Sequence, residues 1–225
     1  MEAKGQIAFG RKKLSETTAD YWNGYYLQKE LPAPPSQFAA FVVSEFAHKR
    51  RFVDIGCGDG RDSLFFAHYG MKVLGLDGSS SAISFCQNAA KERELTHVSF
   101  ETLQIDDAAA CVAFADKNRD AWAGAILYAR FFLHAIDETA ELNFLKLAAD
   151  LIGEKGNLCL EFRTPRDEFQ TKVTSAHFRR YVDPLALINT ARGVGLDCRY
   201  LTEGFGFAKY KSDDAYVARL IFEKV

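Results

Sequence analysis

The sequence predicts an α/β fold: a parallel sheet covered by helices on both faces and finished by a late antiparallel strand pair. Five short apolar runs alternate with segments of helical period, and two final runs follow with no helix directly between them. A glycine-rich turn comes straight after the first run, where a sheet of this kind holds its ligand.

The elements follow in order. Residues 1–35 are polar and aromatic, carry a basic triplet at Arg11 to Lys13, and end in the stop L-P-A-P-P-S at 31–36. They read as an arm or lid laid over a domain spanning 36–225. From Ser36, Phe38, Phe41, Val42 and Phe46 recur at helical spacing. Strands are expected at 51–55 (R-F-V-D-I), 72–77 (K-V-L-G-L-D) and 98–101 (V-S-F-E), with helices between them through Tyr69 and from about Ser80 to Glu94. Serines at 79–81 offer the second helix an N-cap. A loop region then leads to a fourth strand at 122–128, a helix from about Asp137 and a fifth strand at 157–162. Asp183-Pro184 opens another helix, an acid at the cap and proline at the first helical position. The late strands are 196–201 and 216–222.

Composition narrows the class. A chain of 225 residues with 48% hydrophobic residues suffices for one domain with a buried core. The net charge of -2 argues against broad nucleic-acid binding, which leaves a basic surplus. Five scattered cysteines, never spaced C-x-x-C, read as reduced thiols of a cytoplasmic protein without a zinc site. No signal peptide is seen, and no run approaches the ~20 apolar residues needed to span a bilayer. Carboxylates and histidines form no metal-ligand spacing, so metal independence is expected. The oligomeric state is not readable.

The strongest local signal is V-D-I-G-C-G-D-G-R-D at 53–62. Gly56, Gly58 and Gly60 let the backbone turn tightly and approach a ligand. A dinucleotide loop wants a glycine where Arg61 stands, and Asp54 ahead of the turn would repel a pyrophosphate. An acid there suits an ammonium group. Asp77 ends the second strand, where a carboxylate accepts from both hydroxyls of a ribose. An amino group near the first strand and a ribose at the second describe S-adenosylmethionine.

Residues 53–62 with Asp77 resemble the first motifs of class I S-adenosylmethionine-dependent methyltransferases, and the strand order agrees from about residue 36 onward. The resemblance implies a Rossmann-like, seven-stranded methyltransferase fold with S-adenosyl-L-methionine as cofactor. It implies that the backbone at Gly56 and Gly58 holds the methionine portion, Asp54 lies near its amino group, and Asp77 binds the ribose. Gly78 and Ser79 would border the adenine. The family's acid after the third strand is replaced by Gln104, whose amide oxygen accepts the same bond and whose neighbour Ile105 faces the ring. Gln104 and Asp106 both remain candidates for that role. Tyr21 and Trp22 in the arm are expected to close over the cofactor, or simply to pack.

Methyl transfer needs no protein nucleophile, because the sulfonium already activates the carbon. Alignment supplies roughly 7–11 kcal/mol of the barrier. A hydroxyl acceptor also needs a base, whereas a neutral amine does not. Tyr128 and Arg130 follow the fourth strand where the sulfonium is expected, with His134 and Glu161 as candidate bases. Arg130, Arg163, His177, Arg179 and Arg180 are expected around one cleft, which predicts an acceptor bearing phosphate or carboxylate. A solvated basic loop balanced by nearby acids would read the same way. Short motifs (Y-W near the start, R-F-F-L-H-A-I at 130–136, D-D-A-Y-V-A-R-L-I at 213–221) also resemble bacterial methyltransferases tied to surface-polysaccharide biosynthesis. The expectation is transfer to oxygen of a small-molecule or glycan-type acceptor. The alternatives are an N-methyltransferase of natural-product biosynthesis, or a non-catalytic S-adenosylmethionine-binding protein.

Overall fold

The computed structural model describes residues 18–27, 33–170, 179–210 and 212–225. The basic triplet Arg11 to Lys13 and His177 lie outside the described residues. The elements are α1 (Thr18–Leu27), α2 (Gln37–Glu45), β1 (Arg51–Ile55), α3 (Arg61–His68), β2 (Lys72–Asp77), α4 (Ser80–Glu92), β3 (Val98–Thr102) and α5 (Ala108–Trp122). They continue with β4 (Ile126–Arg130), α6 (Glu138–Ile152), β5 (Asn157–Arg163), α7 (Pro184–Arg192), β6 (Leu196–Gly204), β7 (Lys209–Tyr210), β8 (Asp213–Asp214) and β9 (Val217–Lys224).

The main sheet has the order β3-β2-β1-β4-β5-β9-β6. Strands β1 to β5 are parallel, and β9 runs antiparallel between β5 and β6. This is the class I methyltransferase fold. The chain steps outward from β1 to β3, returns, and places β4 on the other side of β1. The order therefore reverses between β1 and β4, and the crevice beyond their carboxyl ends is where an open α/β sheet takes its ligand.

Strand alternation divides the side chains between two faces. Phe52, Ile126, Tyr128, Cys159 and Ile221 pack with Phe38 and Val42 of α2 and Phe66 of α3. Val53, Ile55, Leu127, Ala129, Leu160 and Phe162 fall on the opposite face, against α5, α6 and α7. The stretch between the third and fourth strands is not the loop expected from sequence but helix α5, and β4 starts at Ile126 rather than Trp122. Alanine gives this segment its helix propensity, and Asp107 caps it by accepting from the Ala110 N–H at 2.9 Å. The buried positions Cys111, Ala115 and Trp122 are mostly small, which hides the helical period.

One buried carboxylate fastens the first face. Asp62, in the first turn of α3, accepts from Ser36 N (2.7 Å), Ser36 Oγ (2.8 Å) and Tyr128 Oη (2.7 Å). Ser36 also caps α2 by accepting from the Ala39 N–H at 3.0 Å. Tyr128 stacks on Phe38 with centroids 5.1 Å apart. Three elements thus meet on Asp62. Replacing it with alanine removes three charge-assisted bonds, and urea denaturation should register a loss of at least about 3 kcal/mol. Tyr128→Phe, which removes one, should cost about 1.5 kcal/mol. Equal stability of parent and Asp62→Ala would contradict this account.

Candidate active site

The glycine turn is built on β1 and hung from β2. Gly56 and Cys57 donate their N–H groups to Leu76 O at 2.8 and 3.0 Å. Gly56, Gly58 and Gly60 have φ of 71°, 56° and 71°, the left-handed region in which a Cβ is strained. Space is equally limiting. A Cβ on Gly56 would run into the Phe132 ring, and one on Gly58 into the Tyr26 hydroxyl.

Asp77 joins the turn after β1 to the turn after β2. Its Oδ2 accepts from Gly58 N at 3.0 Å and its Oδ1 from Ser79 N at 2.8 Å. Burial raises its pKa, while these two N–H groups pull it back. Each oxygen keeps a lone pair for a further donor. Gln104 bridges the next gap: its Nε2 donates to Gly78 O at 2.8 Å, which leaves the amide oxygen as an acceptor.

These turns enclose a cavity of about 340 Å³. Its wall includes Gly56, Asp77, Gly78, Ser79, Gln104 and Ile105, all expected from sequence, and Asp106 as well. Trp22 belongs to it, but its helical companion there is Tyr26, not Tyr21. Successive residues on a helix point about 100° apart, whereas residues four apart share a face. Trp22 and Tyr26 stack at 5.9 Å and 23°. The far wall is Phe131, Phe132 and Ile136, which lie just past Arg130, where β4 ends. Phe131 has φ 53°, rare for an aromatic residue, and its N–H is held by Glu161 O at 2.8 Å.

Several candidates point elsewhere, for reasons of phase. Tyr128 is not a wall residue; it sits on the face turned to α2 and α3, with its hydroxyl on Asp62. Asp54 lies on that face too, 3% exposed, and accepts from Ser63 Oγ at 2.6 Å beneath the turn. Burial pushes its carboxyl up to about 8. His134, in a 3-10 turn at Leu133–Ala135, packs edge-on against Phe131 at 5.5 Å and is not part of the wall.

The arginines are committed inside the protein. Arg130, Glu161 and Arg219 are register partners on β4, β5 and β9. Glu161 accepts from Arg130 Nε and Arg219 Nε, each at 2.7 Å. Glu161 is thus clamped between two guanidinium groups and does not line the cavity. Arg163 pairs with Asp167 (2.5 Å) and Asp213 (2.8 Å). Arg180 pairs with Glu141 and donates to the carbonyls of Leu133 and Ile136. Arg179 is engaged as well. Three of the arginines expected to bind an acceptor anion, Arg130, Arg163 and Arg180, are thus paired inside the protein, with Glu161, with Asp167 and Asp213, and with Glu141.

Two measurements check this description. Because the folded Asp54 holds its proton to about 8, the protein loses stability as pH rises from the unfolded pKa near 4 to that value. Asp54→Asn should therefore gain thermal stability relative to the parent progressively over that window and keep the advantage above it. Glu161→Gln leaves two buried guanidinium groups facing each other, and should cost roughly 3–5 kcal/mol by urea denaturation. Full stability with abolished turnover would restore Glu161 as a base.

Comparison with known proteins agrees with the architecture. The sequence pattern of a family described as "Methyltransferase domain" matches residues 47–160. A 2-heptyl-1-hydroxyquinolin-4(1H)-one methyltransferase of Mycobacteroides abscessus is 36% identical over 55 residues, 24% of each chain. A ubiquinone biosynthesis O-methyltransferase of Coxiella burnetii is 28% identical over 95 residues, 42% of this chain and 40% of that protein. The chain therefore matches only about a quarter to two fifths of the length of these relatives. Among solved structures, a SAM-dependent methyltransferase from Anabaena variabilis superposes with TM-score 0.68 at 18% identity, covering 95% of this chain and 100% of that one, a likeness of fold. With the matched stretch running from just before the glycine turn into β5, the chain belongs to the methyltransferase domain family.

Proposed function

We propose that this chain methylates an oxygen of a small, flat, hydroxyl-bearing acceptor without a fixed negative charge. The observation that carries this reading is the contrast between the two sides of the site. The arginines that could have gripped an anion are paired internally, whereas the cavity wall opposite the turns is Phe131, Phe132, Ile136 and Trp22. A flat apolar body gains from such a wall, and an unpaired phosphate would not.

The wall fits the cofactor. Asp77 keeps acceptor capacity for two ribose hydroxyls, the Gln104 amide oxygen accepts from an amino group, and Ile105 with Phe132 offers apolar surface to a ring. The acids bordering the turn, Asp59 and Asp77, suit an ammonium group, which would also draw the proton from Asp54 beneath it. When bound, S-adenosylmethionine supplies a methyl carbon already activated by its sulfonium. The residues here need only orient the acceptor and exclude water. Neither His134 nor Glu161 is part of the wall, so a hydroxyl acidic enough to ionise without a strong base is favoured. The names of the two relatives, one acting on a hydroxyquinolinone and one in ubiquinone biosynthesis, support a small oxygen acceptor. Helix α1 then serves as a lid through Trp22, and five free cysteines accord with a reducing, cytoplasmic setting.

Labelled-methyl transfer to a panel of phenols, hydroxyquinolines, sugars, sugar phosphates, carboxylates and amines tests the acceptor. Transfer to phenolic or enolic hydroxyls is the expected result; transfer confined to amines, or to sugar phosphates, would overturn it. For the cofactor site, Asp77→Asn should weaken S-adenosylhomocysteine binding by about tenfold or more in titration calorimetry.

A further inference from the structure

The amino-acid end of S-adenosylmethionine carries a carboxylate as well as an ammonium group, and the glycine turn is poorly equipped to receive it. Asp54, Asp59, Asp62 and Asp77 stand close enough to one another to interact electrostatically around Asp54. The turn's own donors are mostly spent: Gly56 and Cys57 on Leu76 O, Gly58 on Asp77, Gly60 on Cys57 O, and Arg61 on Asp59. A phosphate-binding turn leaves such N–H groups open to its anion. This one does not.

The missing donor stands on α1. The Tyr26 hydroxyl lies against Gly58 and belongs to a residue of the cavity wall. Among the described residues it makes no hydrogen bond. Its ring is fixed by stacking on Trp22 and by an edge contact with Tyr25 at 5.1 Å. The helix is pinned one turn earlier, where Asn23 Oδ1 accepts from Ser79 Oγ at 2.7 Å, and Ser79 also caps α4. Burial and the neighbouring Asp77 and Asp59 raise the phenol's pKa, so it keeps its proton and acts as a donor.

We propose that Tyr26 reads the carboxylate of the cofactor's amino-acid portion, donating its hydroxyl hydrogen across the rim of the glycine turn. This rests on the cofactor site assigned above. It also gives the arm helix a specific role, because without α1 nothing identified at the turn distinguishes a complete cofactor from one lacking the carboxylate.

Decarboxylated S-adenosylmethionine, which keeps the sulfonium and the amino group, is the discriminating probe. Titration calorimetry of the parent should show tighter binding of S-adenosylmethionine than of the decarboxylated compound. Tyr26→Phe keeps the ring and should weaken S-adenosylmethionine about tenfold while leaving the decarboxylated compound unchanged. Asn23→Ala, which loosens α1 without touching the hydroxyl, should weaken both ligands alike. Equal losses for the two ligands in Tyr26→Phe would make the residue a packing element, and no loss for either would remove it from the site; both outcomes overturn the inference. A parent protein that binds neither ligand would bring down the cofactor assignment itself, and this inference with it.

Discussion

A charge buried at the start of α3 sets the geometry of everything around it. Asp62 is taken from water, a cost that only several donors offset. The donors come from Ser36, at the head of α2, and from Tyr128, in the middle of β4. The first turn of α3 is therefore tied to the two elements flanking it, and the glycine turn that feeds α3 inherits that fixed position. A second carboxylate, Asp77, repeats the device one loop further on by holding the ends of β1 and β2 together. The cofactor crevice is a gap between segments stapled by acids.

Charge is partitioned across the sheet on the same principle. Near β1 and β2 the acids outnumber the bases, which prepares the region for a cation. Near β4, β5 and β9 guanidinium groups and carboxylates are interleaved, with Glu161 in register between Arg130 and Arg219 and with Arg163 held by Asp167, just past β5, and by Asp213 of β8. Phe131 seals this second region from the cavity, with Arg130 and Arg163 against its ring at 4.3 and 5.3 Å. The ionic cluster stiffens the far wall instead of presenting charge to an acceptor.

The fold is readable because its signals are local. Apolar runs, the glycine turn and the Asp-Pro helix start each belong to a few consecutive residues, and the strands they imply are present. Helix α5 escapes because small buried residues leave little hydrophobic contrast. Within the site, Asp77, Gly78, Ser79 and Gln104 can be found because each directly follows a strand. Tyr128, Arg130 and Glu161 lie inside β4 and β5 rather than after them, in the phase that turns their side chains to the α2 and α3 face. Asp213, which pairs with Arg163, and Arg219, the second cation on Glu161, arrive 50 and 58 residues after those partners, beyond the reach of any short pattern. Tyr26 is signalled only by its place four residues after Trp22.

The placement of β9 between β5 and β6 has a bearing on biosynthesis. Strand β6 leaves the ribosome before its sole neighbour in the main sheet exists, and its main-chain N–H and C=O groups have no ladder to join. Until Val217–Lys224 slides into the gap, β5 also shows a bare edge of unpaired N–H and C=O groups between its apolar side chains. Nascent chains stalled in that interval would be the ones most prone to cross-chain pairing, and a chaperone that masks strand edges would act most usefully there.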